Sequence, residues 1–434
     1  MRSATVLAAL VAIAGCAQNP GLARVEAPLG RGDVAGALKR YETMVKRRRP
    51  DRLEALERIA GTVLVHAARS PDRSVRDRAF VALGALGEEG RPWLVRLTGD
   101  PEPIASRALG ALLRIGEDDQ ASRLQKSVRS PYPEARSSSL VWLREEERWG
   151  EVEAMVLDVD AAVRRSALDS LALAPLEEPV AQLGPMRDVL RHDPVAEVRA
   201  AAARFIARHG EAAVEALEQA LSSDPSISVQ VAAVASLARV EARAGRPLRL
   251  RVHEILRRTA SGEPSPAGIE AARLLAPEDP DAMAYLARAL ETGPVSTRLQ
   301  AAVAASGLRA LRQDVRTLLA DSSPEIRLRA AAGLARSSPA DRSAATRVLK
   351  ELLAVEADPA IALQAAAAFS ELRDRRGLPT AARQLASPSA SLRGLAVYVV
   401  GERIGARERV RSLLVDADPS VRVAAARAIL RRSL

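Results

Sequence analysis

Apolar and small residues recur along this chain at helical spacing. From Val421 they fall at offsets 0, 3, 4, 7 and 8 (Val421, Ala424, Ala425, Ala428 and Ile429), one stripe of a 3.6-residue helix that follows a turn at Asp418. The same stripe is anchored upstream at Val75, Ile104, Ala135, Val163, Val198, Val229, Ala267, Thr297, Ile326, Ile361 and Leu392, giving twelve anchors at intervals of 28 to 38 residues. Four residues past each anchor only small side chains occur, eleven Ala and Ser139, and eight past it every residue is apolar, from Leu83 to Ile429. A small residue lets another helix come close, and the larger one fills the space beside it. One helix pair cannot bury such a face alone. The pattern therefore predicts an all-α chain whose roughly twelve helical hairpins stack into an α-solenoid, with no strand.

The turns carry a second pattern. A Pro precedes the anchor in every unit except that of Val163, and Asp often stands before it, as in Asp100-Pro101, Asp193-Pro194, Asp224-Pro225, Asp358-Pro359 and Asp418-Pro419. Asp can cap the coming helix, and Pro fits its first turn. The residue after the anchor is Arg in eight of the twelve units. Together these features resemble the HEAT-repeat family, in particular the short HEAT-like repeats first named from phycobilin lyases. The resemblance implies that the turn Asp and the Arg after the anchor bond between neighbouring repeats. Asp418 with Arg422, and Asp193 with Arg199, would then be ladder members, while Ala105, Gln230, Gly268 and Ala362 depart from the pattern. It covers roughly residues 50–434 and implies a fold rather than an activity.

The N-terminus reads differently. Residues 4–14 form an apolar run broken only by Thr5, and Cys16, the only cysteine, follows directly after Gly15. The run is far short of the ~20 apolar residues that a membrane span needs. Ile13-Ala14-Gly15-Cys16 resembles the lipobox of bacterial lipoproteins, in which small residues admit the peptidase and the thiol takes a diacylglycerol. This divides the chain into a signal peptide (1–15), a lipidated tether beginning at Cys16 (16–32, with two Pro, three Gly and no stripe), an N-terminal helical cap (33–70) and the repeat solenoid (71–434). Asp33 is the expected cap of the helix over 34–46. Residues 175–185 read as a loop and 337–343 as a polar insertion, each either a partner contact or a plain connection. A single cysteine excludes disulfides within the chain.

The net charge is +10, and 60 of the 64 basic residues are Arg. Basic blocks at 46–49 and 246–258 leave an anionic partner open, such as lipid headgroups or an acidic polymer. Acids interleave with Arg nearly everywhere else, so most of this charge reads as solvated surface and repeat ladder. Nucleic acid is not expected. HEAT-like alkylpurine DNA glycosylases would use residues such as Trp93, Trp142 and Trp149 for stacking, but Trp142 lies on its unit's stripe at offset seven, a core position.

Catalysis finds little material. His66, His192, His209 and His253 are scattered, and only His253 is followed by Glu, whereas HEAT-type di-iron hydroxylases need several His-Glu pairs. No zinc spacing, Gly-rich loop after a strand, or nucleophile elbow occurs. No catalytic, metal-binding or cofactor-binding residue is assigned, and no cofactor is expected. The resulting expectation is a non-enzymatic protein-interaction scaffold anchored through lipid on Cys16 and facing the periplasm. Its protein partner would lie on the concave face that striped helices form in HEAT proteins. Ala17, in place of the Asp that retains lipoproteins at the inner membrane of enteric bacteria, favours the outer membrane. The alternative is a HEAT-like protein that binds an anionic polymer, either an envelope polymer or nucleic acid, or carries an enzymatic activity.

Overall fold

The computed structural model describes residues 20–117, 121–175, 183–336, 338–354, 358–403 and 406–431; the expected signal peptide, 1–15, and Cys16 lie outside them. Every regular element among the described residues is helical, and within each compact unit neighbouring elements pack as helical hairpins side by side. The reason lies at offset four, where all twelve small residues, from Ala79 to Ala425, are 0% exposed. Offset eight is buried in every unit, and ten of the twelve anchors are buried, with Ile104 and Leu392 half-buried. Backbones approach where side chains are smallest, and the larger residues pack around that contact.

The stack expected over 71–434 falls into two compact units, one formed by Met1–Asp118 with Glu356–Leu434, the other by Asp119–Val355. In the first unit, α1 (Pro20–Leu29), α2 (Val34–Lys46) and α3 (Arg52–Ala68) precede the first striped helix, Arg73–Ala85. Asp33 caps α2 as the sequence predicts, its carboxylate accepting from the Gly36 amide at 2.7 Å. The tether reading is corrected: its residues 20–29 are the helix α1, which buries Leu22, Val25 and Leu29. These three make an i, i+3, i+7 stripe that the surrounding Pro and Gly residues conceal.

The N-terminal cap is corrected as well. α3 packs on the striped helix Arg73–Ala85 and also against the last helix of the chain, Pro419–Leu430, so it is an interior element. Its composition explains this. A terminal cap needs one apolar face, whereas α3 buries nine of its 17 residues, including Leu56, Ile59, Val63, Leu64 and Val65, which span most of its circumference. Gly61, in the middle of α3, meets the indole of Trp93 on Arg91–Leu97: a Cβ there would lie 2.0 Å from the ring. Arg96 stacks on the same indole, 4.7 Å from its centroid.

Turn chemistry sets the helix starts. Asp72, Asp160, Asp358 and Asp418 accept from amides of the first helical turn, and Pro359 and Pro419 open their helices. At Asp193 and Asp224 the expected caps are absent. There the helices start at Ala196 and Ile227, and the carboxylates accept instead from the Val195 and Ser226 amides inside the turn. The loop expected over 175–185 gives way to a helix at Leu183–His192, Pro185 included, and residues 176–182 lie outside the described part.

The polar insertion expected over 337–343 is instead the start of helix Pro339–Leu353, with Ser337 outside the described residues. Ser338 and Asp341 form a reciprocal cap: the Asp341 amide donates to Ser338 Oγ at 3.2 Å, and the Ser338 hydroxyl donates to the Asp341 carboxylate at 2.6 Å. Asp341 is 1% exposed and also receives Arg316. The Arg316 and Ser338 hydrogen bonds hold its carboxyl down at about 2. The folded value lies below the ordinary one, so this stability is fully present above about pH 4 and lost as the pH falls toward 2. Asp341→Asn should lower the thermal midpoint at neutral pH, with the gap from wild type closing on acidification. A gap that is absent at pH 7, or constant down to pH 2, would contradict this account.

Candidate functional site

The Arg after each anchor does two jobs. Arg164 donates from one guanidinium nitrogen to the carbonyl of Asp158, at the start of its own turn, at 2.9 Å. Its other nitrogens reach the carboxylate of Asp193 in the next unit's turn at 2.7 and 3.1 Å. The same geometry joins Arg136 to Asp158 and Arg199 to Asp224, while Arg199 also donates to the Asp193 carbonyl at 2.8 Å. The result is a continuous wire, Arg136, Asp158, Arg164, Asp193, Arg199, Asp224, in which Asp158 and Asp193 each take one Arg on the carboxylate and the next on the carbonyl. Gln230 ends it, keeping the backward bond to the Asp224 carbonyl at 2.8 Å but having no charge to send forward. Arg393 repeats the motif with Asp416 in the first unit.

This corrects the inferred pairings. Asp193 and Arg199 are partners, but through the Asp193 carbonyl. Arg422 bonds to the carbonyls of Asp416 and Ala417, whereas the Asp418 carboxylate caps its own helix. At Asp416 the Arg393 hydrogen bond outweighs burial and holds the carboxyl below its usual range. At Gly268 the missing Arg is explained by Tyr285. A Cβ on Gly268 would lie 2.1 Å from the Tyr285 hydroxyl, which donates to the Glu263 carbonyl and accepts from the Ser265 amide, doing the turn-tying that Arg does elsewhere.

The remaining candidate residues do not converge. His66 belongs to the first unit and His192, His209 and His253 to the second. Burial, then the nearby Arg208 and Arg187 charges, push His209 below its usual range, and its ring meets Phe205 edge-on at 5.7 Å. His253 lies 3.5 Å from Glu241 and 3.9 Å from Asp279. Among the described residues no three His, Cys, Asp or Glu side chains are placed to hold a metal ion, and no helix is long and apolar enough to cross a membrane. Trp93, Trp142 and Trp149 are all buried, so none offers a stacking face to a nucleic acid base. Of the 246–258 block, Arg257 and Arg258 bond to Asp279 and Glu218, while Arg246, Arg249 and Arg251 are exposed.

What several repeats do present is an exposed residue two positions beyond the uniformly small offset-four position. Offset six is exposed at Val81 and Tyr398 in the first unit and at Asp169, Arg273 and Val303 in the second, half-buried at Arg204, and buried at Gly110 and Val141. Val81, Val303 and Tyr398 are 66%, 52% and 40% exposed. Sequence periodicity locates these positions, but only burial shows that they are released from packing.

No family model matches the chain, and no curated protein matches it in sequence. Among solved structures it is similar to the karyopherin Kap121p bound to RanGTP, with 14% identity and a TM-score of 0.39 over 90% of this chain and 49% of that one. Kap121p bound to the SUMO protease Ulp1p gives 13% identity and a TM-score of 0.38 over 89% and 49%. Human deoxyhypusine hydroxylase in complex with glycerol gives 18% identity and a TM-score of 0.27 over 68% and 99%. The chain spans about half the length of the karyopherin chains. Nothing about chemistry or partners follows from likenesses of this size.

Proposed function

We propose that this chain is a lipid-anchored HEAT-like scaffold that binds a protein partner at the periplasmic side of the cell envelope, on the outer membrane. Cys16 carries the diacylglycerol, and the partner lies along the striped helices, on the concave face. The observation that carries the interaction reading is the contrast between offsets four and six. Packing restricts offset four to Ala or Ser and shields it completely, whereas offset six is exposed in five of the twelve repeats, as Val, Asp, Arg or Tyr. A surface with varied exposed positions on several repeats suits a partner touched by many of them, with a few Arg or aromatic anchors dominating. The anchor rests on the lipobox at 13–16.

A photo-crosslinking amino acid placed at 169, 273 and 303 should capture the same protein from all three positions. One at Leu157, 78% exposed but outside the striped helices, should not capture it. Cys16→Ser should abolish incorporation of a labelled lipid precursor and release the chain from the membrane fraction, while His209→Ala and His253→Ala should leave capture intact. Equal capture at 157, or an enzymatic activity lost in a single His variant with capture unchanged, would overturn the scaffold reading. Unchanged lipid labelling in Cys16→Ser would overturn the anchor alone.

A further inference from the structure

Arg24 on α1 and Arg40 on α2 line one recess of about 230 Å³ together with Arg47 and Arg49, which follow the end of α2; the side chain of Met44 completes its wall. Guanidinium groups in this chain are commonly matched to carboxylates, as Arg136, Arg164, Arg199 and Arg393 are. The recess has no acid in its lining. Arg49 has Asp51 at 3.3 Å, but Arg24, Arg40 and Arg47 have no ionic or hydrogen-bonded side-chain partner among the described residues. Arg24, Arg40 and Arg47 are exposed, so solvent tempers their mutual repulsion, and an anion joining them would relieve it. The α2 dipole accounts for a cation at its C-terminal end, such as Arg47, but not for Arg24 or Arg40, which lie within their helices.

The turn after α2 strengthens the case. Arg48 adopts a left-handed conformation, φ 49°, which costs an L residue more than it costs glycine. It folds the chain back so that the Arg49 amide donates to the Met44 carbonyl at 3.0 Å, bringing Arg49 to the recess. Guanidinium forks match the oxygens of a phosphate in pairs, and several of them together supply both charge and geometry.

We propose that this recess binds a phosphate ester, either the diester headgroup of an anionic phospholipid or a soluble phosphate. α1 starts at Pro20, so a lipid on Cys16 would hold the recess close to a headgroup layer, given about 3.3 Å per extended residue. The recess does not depend on that lipid and can be tested without it.

The test uses the full chain carrying Cys16→Ser, floated with vesicles of phosphatidylcholine alone or mixed equally with phosphatidylglycerol, and titrated separately with inorganic phosphate by calorimetry. Binding to the phosphatidylglycerol vesicles, but not to phosphatidylcholine alone, should fall about tenfold in Arg24→Gln/Arg40→Gln. Arg47→Gln, beyond the helix, should lose a smaller part. Arg246→Gln/Arg249→Gln, which removes the same charge from an exposed face of the second unit, should change binding by less than about twofold. Phosphate binding that is lost in the recess variant, without vesicle binding, assigns the recess to a soluble ester. Wild-type protein that binds neither probe, recess variants that bind like wild type, or an equal loss in the control would overturn the proposal. Lipid labelling at Cys16 is a separate readout, so failure here leaves the anchor untouched.

Discussion

Deleting the last helix, Pro419–Leu430, should unfold the first compact unit while the second stays intact. In an open stack, loss of a terminal hairpin removes one interface and leaves the rest standing. Here the last helix packs against the preceding unit on one side and against α3 on the other. It buries Val421, Val423, Ile429 and Leu430 together with three Ala. At roughly 1.5–3 kcal/mol for each large aliphatic side chain, the loss is comparable to the whole stability of a typical domain. Leu56 and Val63 of α3, which line recesses shared with Ile429 and Pro419, would face water. Limited proteolysis followed by mass spectrometry reads this directly: peptides from 20–117 should be cleared early, while a core from 121–354 persists. Equal protection of 20–117 in the truncated and full chains would mean that α3 does not depend on the last helix.

Gly61→Ala should be among the most damaging single-methyl additions in the first unit. The new Cβ would enter the Trp93 indole at 2.0 Å, and the ring is 7% exposed with Arg96 stacked on it, so it has little room to retreat. Overpacking of this kind costs about 1–3 kcal/mol and sometimes more, against a helix-propensity gain of at most about 1 kcal/mol. Gly84→Ala is the matched control. It lies near the end of Arg73–Ala85 with nothing within 4 Å of its Cβ position, so it should be neutral or stabilising by up to about 1 kcal/mol. Denaturant titrations of the two variants should move in opposite directions; a stable Gly61→Ala would show that Trp93 does not press on α3.

The sequence makes the repeat legible because stacking imposes a period. Ala202 or Ala330 must be small wherever another helix crosses, and the chain shows it without any three-dimensional information. Gly61 also left a trace, since a glycine inside a strong helical pattern carries a propensity cost that packing must justify. The ladder was readable only as a motif. The forward partner of Arg199 is Asp224, set by how successive units lie beside each other, and no local pattern names it. Asp341 was hidden for a different reason: its stretch has the composition of a loop, yet Ser338, Pro339 and Asp341 are the residues that start a helix. The Arg24, Arg40 and Arg49 recess joins side chains from two helices and a turn, so only the packing of α1 on α2 assembles it.

The contact between α3 and the last helix also orders events during synthesis. The whole second unit lies between them in sequence, so the loop that must close is long, and its entropic cost is met only once both partners exist. The second unit is one continuous segment and can fold as soon as it has emerged. The first unit begins at the N-terminal side yet cannot complete its core until Pro419–Leu430 is released, and until then α3 carries an unpaired apolar face. A chain that crosses a membrane before folding meets no conflict here. For a chain that folded as it was made, that face would be the site where a holding chaperone has to act.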